Sequence, residues 1–276
     1  MEQNINPGIY RNIDNHDYHS GPGLSATNLC ELARSPLHYI TSLATPHKET
    51  PAMKLGSATH CAILEPERFD VEYLQAPHLD RRTKEGKAAW TEIEQSGKIL
   101  LSEEDYKKAT DMAQAVHKHK IASRLLSGGA SEQSIYWNQE INSLDDNKFL
   151  CKCRPDYLKE IPQGCLIVDL KTSQDAEINS FQKKAYWNYN YHIQAAHYMN
   201  GFEAVTHKKT LAFIFIVIES EPPYAINIFK AADEFINSGK NKVRELYELY
   251  ASCLEKNNWP GYSEDIKELR FPKSIS

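Results

Sequence analysis

The chain has 276 residues, 41% of them hydrophobic, enough to bury a sizeable core in one large unit. Its 32 basic and 37 acidic residues give a formal charge of −5, which excludes a polycation that coats nucleic acid indiscriminately; any polyanion must meet a local basic groove. The longest apolar run, Leu211 to Ile218, is too short to span a bilayer, and MEQNINPGIY lacks both the basic and the apolar part of a leader, so the expectation is a cytoplasmic protein with no membrane contact.

The first fifty residues are rich in Asn, His, Pro and Gly and read as an ordered arm. Within it, Ser25 caps a short helix that breaks at Pro36. Met53 to Leu64 has helical spacing and ends at Glu65-Pro66, with His60 in its middle. Val71 to Ala76 predicts a strand, and Lys84 to Gly97 a helix closed by its glycine. Ser102 opens a long helix to about Leu126, which Gly128-Gly129 ends. The period then changes to two, predicting strands over Ser134 to Trp137, Phe149 to Leu158 and Cys165 to Leu170, the first two joined by a turn at Leu144-Asp145-Asp146-Asn147. Cys151 and Cys153 share one strand face, but no second close pair completes a zinc site, so the six cysteines read as reduced thiols.

Ala176 to Ala185 and Tyr191 to Ala204 predict helices around the aromatic bend Tyr186-Trp187-Asn188-Tyr189-Asn190. Thr210 to Ile218 reads as a central strand with Ala225 to Phe229 beside it, and Asp233 to Glu255 as a last helix before a Pro-bearing tail. The pattern is an α/β fold with a mixed central β-sheet flanked by helices.

Asp156 lies near the end of the second of the three strands, while Asp169 and Lys171 close the third, so a hairpin would bring the two carboxylates to one sheet edge. Adjacent carboxylates repel unless a cation lies between them or one is protonated, and hard oxygen ligands favour Mg²⁺, with Mn²⁺ as substitute. The period of two puts Asp169 and Lys171 on one face and Leu170 on the other, which lets the lysine reach an attacking water or a phosphate oxygen. Thr172 and Ser173 add donors at the strand end. His60, as a neutral imidazole, is a further candidate ligand, and Gly56 leaves room for close approach one turn below it. Gln194 and Tyr198 share one helix face and can aim an amide and a hydroxyl at a phosphate or at Lys171. His192 and His197 read as neighbours of the site. Arg81, Arg82, Lys84 and Lys87 form a candidate basic patch for DNA, as do Lys183-Lys184 and Lys208-Lys209.

In order, Gly56 and His60, Asp156 after a proline, Asp169-x-Lys171 and Gln194-x-x-x-Tyr198 resemble the PD-(D/E)XK nuclease superfamily in its RecB-like branch. PGIYRNIDNHDYHSGPGLS, LGSATHCAILEPERF, SIYW, CKCRPDYL, DLKTS and YHIQAAHY extend the resemblance, from about Pro7 to Trp259, to the RecE family of prophage recombination exonucleases. The resemblance implies a PD-(D/E)XK core and an ATP-independent exonuclease that digests one strand of linear duplex DNA from its 5′ end. It also implies a 3′ single-stranded tail handed to a RecT-like annealing protein, and a homotetrameric ring around the DNA. By the same resemblance Asp156, Asp169, His60 and the Leu170 carbonyl hold the metal, Lys171 orients the attacking water, and Gln194 and Tyr198 support lysine or DNA. Glu132 is a further candidate for a supporting or second-metal role. The absence of a Gly-x-x-x-x-Gly-Lys-Ser/Thr loop agrees with ATP independence.

The expected organisation is a single nuclease domain over 1–276, with an arm and helix over 1–50, a catalytic core over 51–260 and a tail over 261–276. Two rivals use the same residues. An endonuclease or flap-cutting phosphodiesterase would nick closed circles, and a non-catalytic DNA-binding subunit would bind without cutting.

Overall fold

The computed structural model describes residues 5–45, 49–77, 80, 82–141 and 148–269. In chain order its elements are β1 (Gly8–Tyr10), α1 (Asn15–Ser20), α2 (Ala26–Arg34), α3 (Pro36–Ala44), α4 (Pro51–Leu64), α5 (Pro66–Glu72), β2 (Tyr73–Gln75), α6 (Lys84–Gln95), β3 (Ile99–Leu101), α7 (Glu103–Lys118) and α8 (Lys120–Leu125). They continue with β4 (Ala130–Ser131), β5 (Ser134–Glu140), β6 (Lys148–Cys153), β7 (Tyr157–Ile161), β8 (Gly164–Ser173), α9 (Ile178–Lys183), a π turn over Lys184–Asn188, α10 (Tyr191–Thr206), β9 (Thr210–Glu219), β10 (Ile226–Lys230) and α11 (Asp233–Lys256).

The central sheet runs β10-β9-β8-β7-β4, with β8 and β9 parallel and the other pairs antiparallel, which makes it mixed as expected. A three-stranded antiparallel sheet, β1-β5-β6, packs beside it. Alternation along the central strands divides the core. Ile167, Phe213, Phe215 and Val217 pack against α10 and α11, while Val168, Leu170, Ile216 and Ile218 pack against α4 and α7. Both faces of β8 and β9 are therefore covered, which is why these strands read as apolar runs. Asp169 and Lys171 share the parity of Ile167 and so lie on the α10 side.

Several boundaries differ from the sequence expectations for identifiable reasons. The expected strand Phe149 to Leu158 is two strands: β6 ends at Cys153 in the smaller sheet, and β7 starts at Tyr157 in the central one. Proline cannot donate to a ladder, so Arg154-Pro155-Asp156 becomes the corner between sheets. Helix α4 ends at Leu64 before Glu65-Pro66 as expected, but Pro66 then occupies the first turn of α5, which absorbs Val71 and shortens the expected strand to Tyr73–Gln75. The long helix from Ser102 breaks at His119, whose imidazole accepts from Ala122 N at 3.2 Å and restarts the chain as α8. Ser25 caps α2 through a capping box with Asn28, and Ser35 caps α3 directly behind it. The expected turn at 144–147 lies outside the described residues.

No helix among the described residues is long and apolar enough to cross a membrane.

Candidate active site

The site forms where the corner at Asp156 meets the end of β8. Strand β7 pairs Tyr157 with Val168 and starts no earlier, so the amide of Leu170, two residues along, has no strand partner on that side. The Asp156 carboxylate takes that place, accepting from Leu170 N at 2.6 Å. The sheet edge itself thus fixes one carboxylate. Helix α4 lies over the same edge and brings His60 Nδ1 to 3.5 Å from Asp156 Oδ2. Glu132 follows β4 with a left-handed backbone (φ +50°), and its amide donates to the Asp156 carbonyl at 3.1 Å.

One ligand atom each from His60, Glu132 and Asp156 falls within 4.8 Å of the others. Burial, followed by the repulsion of Lys171, lowers the His60 pKa to about 4, so the imidazole is neutral near pH 7 and its contact with Asp156 is no ion pair. The Leu170 carbonyl lies beside the same ring. Burial pushes Asp156 up, and burial plus the Asp156 charge pushes Glu132 up. Two carboxylates and a neutral imidazole converging without a cation are held together at the cost of keeping a proton, and a divalent cation relieves that repulsion. The donor set therefore fits a hard metal ion.

Asp169 is fully buried. One of its oxygens accepts from Gln194 Nε2 at 2.9 Å and the other forms an ion pair with Lys171. That second oxygen carries no further hydrogen bond. Burial raises the Asp169 pKa to about 6 against the opposing pull of Lys171. For Lys171, burial disfavours the ammonium, but Asp169, Tyr191 and Asp156 outweigh it and keep the lysine charged. The ammonium also sits 4.6 Å from the centre of the Tyr191 ring.

A cleft of about 230 Å³ opens onto this edge, lined by Ser57, His60, Glu132, Arg154, Asp156 and Tyr198 together with Asn15, Tyr18 and His19 from the N-terminal arm. The arm is held by two buried cations. Lys152 Nζ donates to the carbonyls of Tyr18 at 2.7 Å and Gly21 at 2.5 Å. Arg154 donates to Ser134 Oγ at 2.7 and 2.9 Å and to the Ile13 carbonyl at 2.9 Å, with its guanidinium 4.1 Å from the Tyr18 ring centre.

The structure thus gathers His60, Asp156, Asp169, Leu170, Lys171, Gln194 and Tyr198 at one strand end, and of the two roles expected for Glu132, supporting or metal-binding, it places its carboxylate among the ligand-bearing side chains. Other expectations shift. Gln194 holds Asp169 rather than Lys171. Ser173 Oγ is committed to the Asp175 carbonyl at 2.7 Å, and Thr172 faces Gly56, where an added Cβ would meet only Thr172 Oγ1 at 3.7 Å. Glycine is therefore not required there by the fold. Arg82 is bound to Asp80 at 3.0 Å, and neither it nor Lys84 lines the cleft; Arg81 lies outside the described residues. His197 is a core residue between Tyr247 and the Lys152 carbonyl, and His192 stacks on Tyr186. All six cysteines are free. Sequence reasoning missed the roles of Arg154, Lys152, the arm and Tyr191. The one available signal was two basic residues immediately before the Pro-Asp corner, at positions whose strand neighbours are apolar.

A mixed sheet between helices, with an Asp-x-Lys strand end facing a Pro-Asp corner, defines the PD-(D/E)XK nuclease superfamily fold. The chain belongs to the family described as a PDDEXK-like domain of unknown function (DUF3799), whose model matches residues 25–272. Among solved structures, the chain is similar to a protein from Eubacterium rectale described as a "putative exonuclease", at 15% identity and a TM-score of 0.60, over 96% of this chain and 97% of that one. The structure described as SSO0001 also matches, at 15% identity over 72% of this chain and 85% of that one, but at a TM-score of 0.30 it carries no weight. Among curated proteins, none matches this chain.

Proposed function

We propose that this chain is a Mg²⁺-dependent, ATP-independent 5′-to-3′ exodeoxyribonuclease that acts on the ends of linear double-stranded DNA. The observation that carries the reading is the convergence of His60, Glu132 and Asp156 beside the buried Asp169–Lys171 pair. A structural framework alone has little reason to bury adjacent acids against a lysine at an open cleft. The description of the Eubacterium rectale protein as a "putative exonuclease" points the same way.

In this reading His60, Asp156 and Glu132 supply ligand atoms, and Asp169 with the Leu170 carbonyl completes the set. The cation, when bound, supplies Lewis-acid stabilisation of the charge that develops on the phosphate. Lys171 stays protonated and places its ammonium where a scissile phosphate oxygen or the attacking water would accept a hydrogen bond. Gln194 keeps Asp169 oriented toward the lysine, and Tyr198 presents its ring at the cleft wall. Strand polarity, a tetrameric ring, a RecT-like annealing partner and a role in prophage recombination are supported by the sequence resemblance.

The test is linear duplex labelled at its 5′ or its 3′ end, with a closed circle alongside, incubated with Mg²⁺ and no ATP. Early release of the 5′ label with the circle intact supports the reading. Nicked circles would replace it with an endonuclease, and binding without degradation under any divalent metal would leave a DNA-binding subunit.

A further inference from the structure

The segment between α9 and α10 departs from regular structure in three ways at one place. It winds as a π turn, closed by Tyr189 N donating to the Lys184 carbonyl at 3.0 Å. It ends at Asn190 in the left-handed region, φ +52°. It also turns two large aromatic side chains into solvent, with Trp187 62% and Tyr189 55% exposed. A π turn inserts an extra residue into a helix and re-aims the side chains beside it, and strain of this kind is kept where a site uses it.

These rings are the outer ends of two ladders that lead inward. Tyr189 stacks on Tyr191 with centroids 5.3 Å apart and planes 19° from parallel, and the Tyr191 ring faces the Lys171 ammonium. Trp187 stands edge-on to Tyr186 at 4.7 Å, and Tyr186 stacks on His192 at 4.5 Å and touches Ser238 Oγ through its hydroxyl. The inner rings are pinned, and the outer faces are open. Lys183 and Lys184 precede the rings on the same segment, with Asp175 beside Lys184.

We propose that Trp187 and Tyr189 form a stacking platform for unpaired bases of the nucleic-acid strand whose backbone passes Lys171. Every base has a π face, so such a platform holds a strand without reading its sequence, and lysines at its edge meet the backbone phosphates. The platform would draw the strand end away from its complement and toward the cleft. This deepens the nuclease reading and rests on it for the identity of the substrate.

The test measures binding, so it does not depend on turnover. A labelled oligothymidylate of about ten nucleotides is titrated by fluorescence anisotropy in Ca²⁺ with the unaltered chain, Trp187→Ala, Tyr189→Ala and Tyr189→Phe. The alanine variants should each weaken binding by about 5- to 150-fold, the range for losing one stacked base, and Tyr189→Phe should restore most of it. Quenching of tryptophan fluorescence by the oligonucleotide should largely disappear in Trp187→Phe, which leaves Trp90, Trp137 and Trp259 in place. Unchanged affinity in both alanine variants overturns the platform, and cleavage of linear duplex by the unaltered chain in a parallel reaction with Mg²⁺ would leave the nuclease reading standing. Binding that depends on both rings in a chain that cuts nothing would do the reverse. Unchanged affinity together with a smaller oligomer on sedimentation would show that the rings join copies of this chain, and would equally overturn the proposal.

Discussion

His197 links three elements of the core, and its protonation state predicts how stability depends on pH. The ring is fully buried, 4.8 Å from Trp137 between ring centres, with Nε2 3.0 Å from the Lys152 carbonyl of β6 and Nδ1 2.8 Å from the Tyr247 hydroxyl of α11. A carbonyl only accepts, so Nε2 carries the hydrogen and Nδ1 accepts from Tyr247. A second proton would turn Nδ1 into a donor facing that hydroxyl, which already accepts from Asn200 Nδ2 at 3.4 Å and lies beside Cys151. Burial accordingly lowers the His197 pKa from 6.5 to about 4, although its contacts with the Lys152 and Leu24 backbones oppose the shift. The unfolded chain takes up a proton near pH 6.5 that the folded chain refuses until about pH 4. The stabilisation is therefore complete above pH 6.5 and is lost as pH falls through that window, a change of about 3 kcal/mol at pH 4. Urea unfolding followed by tryptophan fluorescence at pH 7 and pH 4, on the unaltered chain and His197→Gln, isolates this effect from other titrating groups. The stability advantage of the unaltered chain should shrink by about 3 kcal/mol between the two pH values. If the two profiles run parallel within about 0.5 kcal/mol, the neutral buried imidazole is wrong.

Three further outcomes follow from the geometry. Arg154→Ala removes the guanidinium that joins Ser134, the Ile13 carbonyl and the Tyr18 ring, and should cost about 2–4 kcal/mol while selectively speeding hydrogen exchange over residues 13–21; uniform loss of protection would refute a local clamp. Gly239→Ala places a Cβ 2.0 Å from the His192 carbonyl, a backbone atom that cannot rotate away, and should destabilise by about 1–3 kcal/mol in thermal unfolding; an unchanged midpoint would contradict the close α10–α11 approach. Ca²⁺ should support DNA binding without cleavage, because its looser coordination positions the reacting groups poorly, and full turnover in Ca²⁺ would contradict the Mg²⁺ reading.

Much of this arrangement was legible in the residues because the relevant signals are local. The apolar runs at Cys165 to Leu170 and Thr210 to Ile218 marked the centre of a sheet covered on both faces, and parity alone placed Asp169 and Lys171 together. Ser25, Ser102 and Gly97 marked helix ends through caps that operate within a few residues, whereas the helix that Ser35 caps was not foreseen. What sequence could not supply depends on contacts between distant segments. Glu132 joins His60 and Asp156 only because β4 pairs with β7 and α4 crosses the same edge. The arm reaches the cleft only because Lys152 and Arg154, more than 130 residues away, find carbonyls there. The second strand was misread as continuous because alternation carries across Arg154-Pro155, although the proline forbade a central ladder position.

The central claim is that the strand end carrying Asp169 and Lys171 performs metal-dependent phosphodiester hydrolysis. Its most direct test is the release of acid-soluble nucleotide from linear duplex DNA in Mg²⁺ without ATP, with the unaltered chain and Lys171→Ala side by side and DNA binding measured for both. The account predicts steady release by the unaltered chain and a fall of about 10²-fold or more in the variant, with binding retained. Release by Lys171→Ala within a few-fold of the unaltered chain would contradict it.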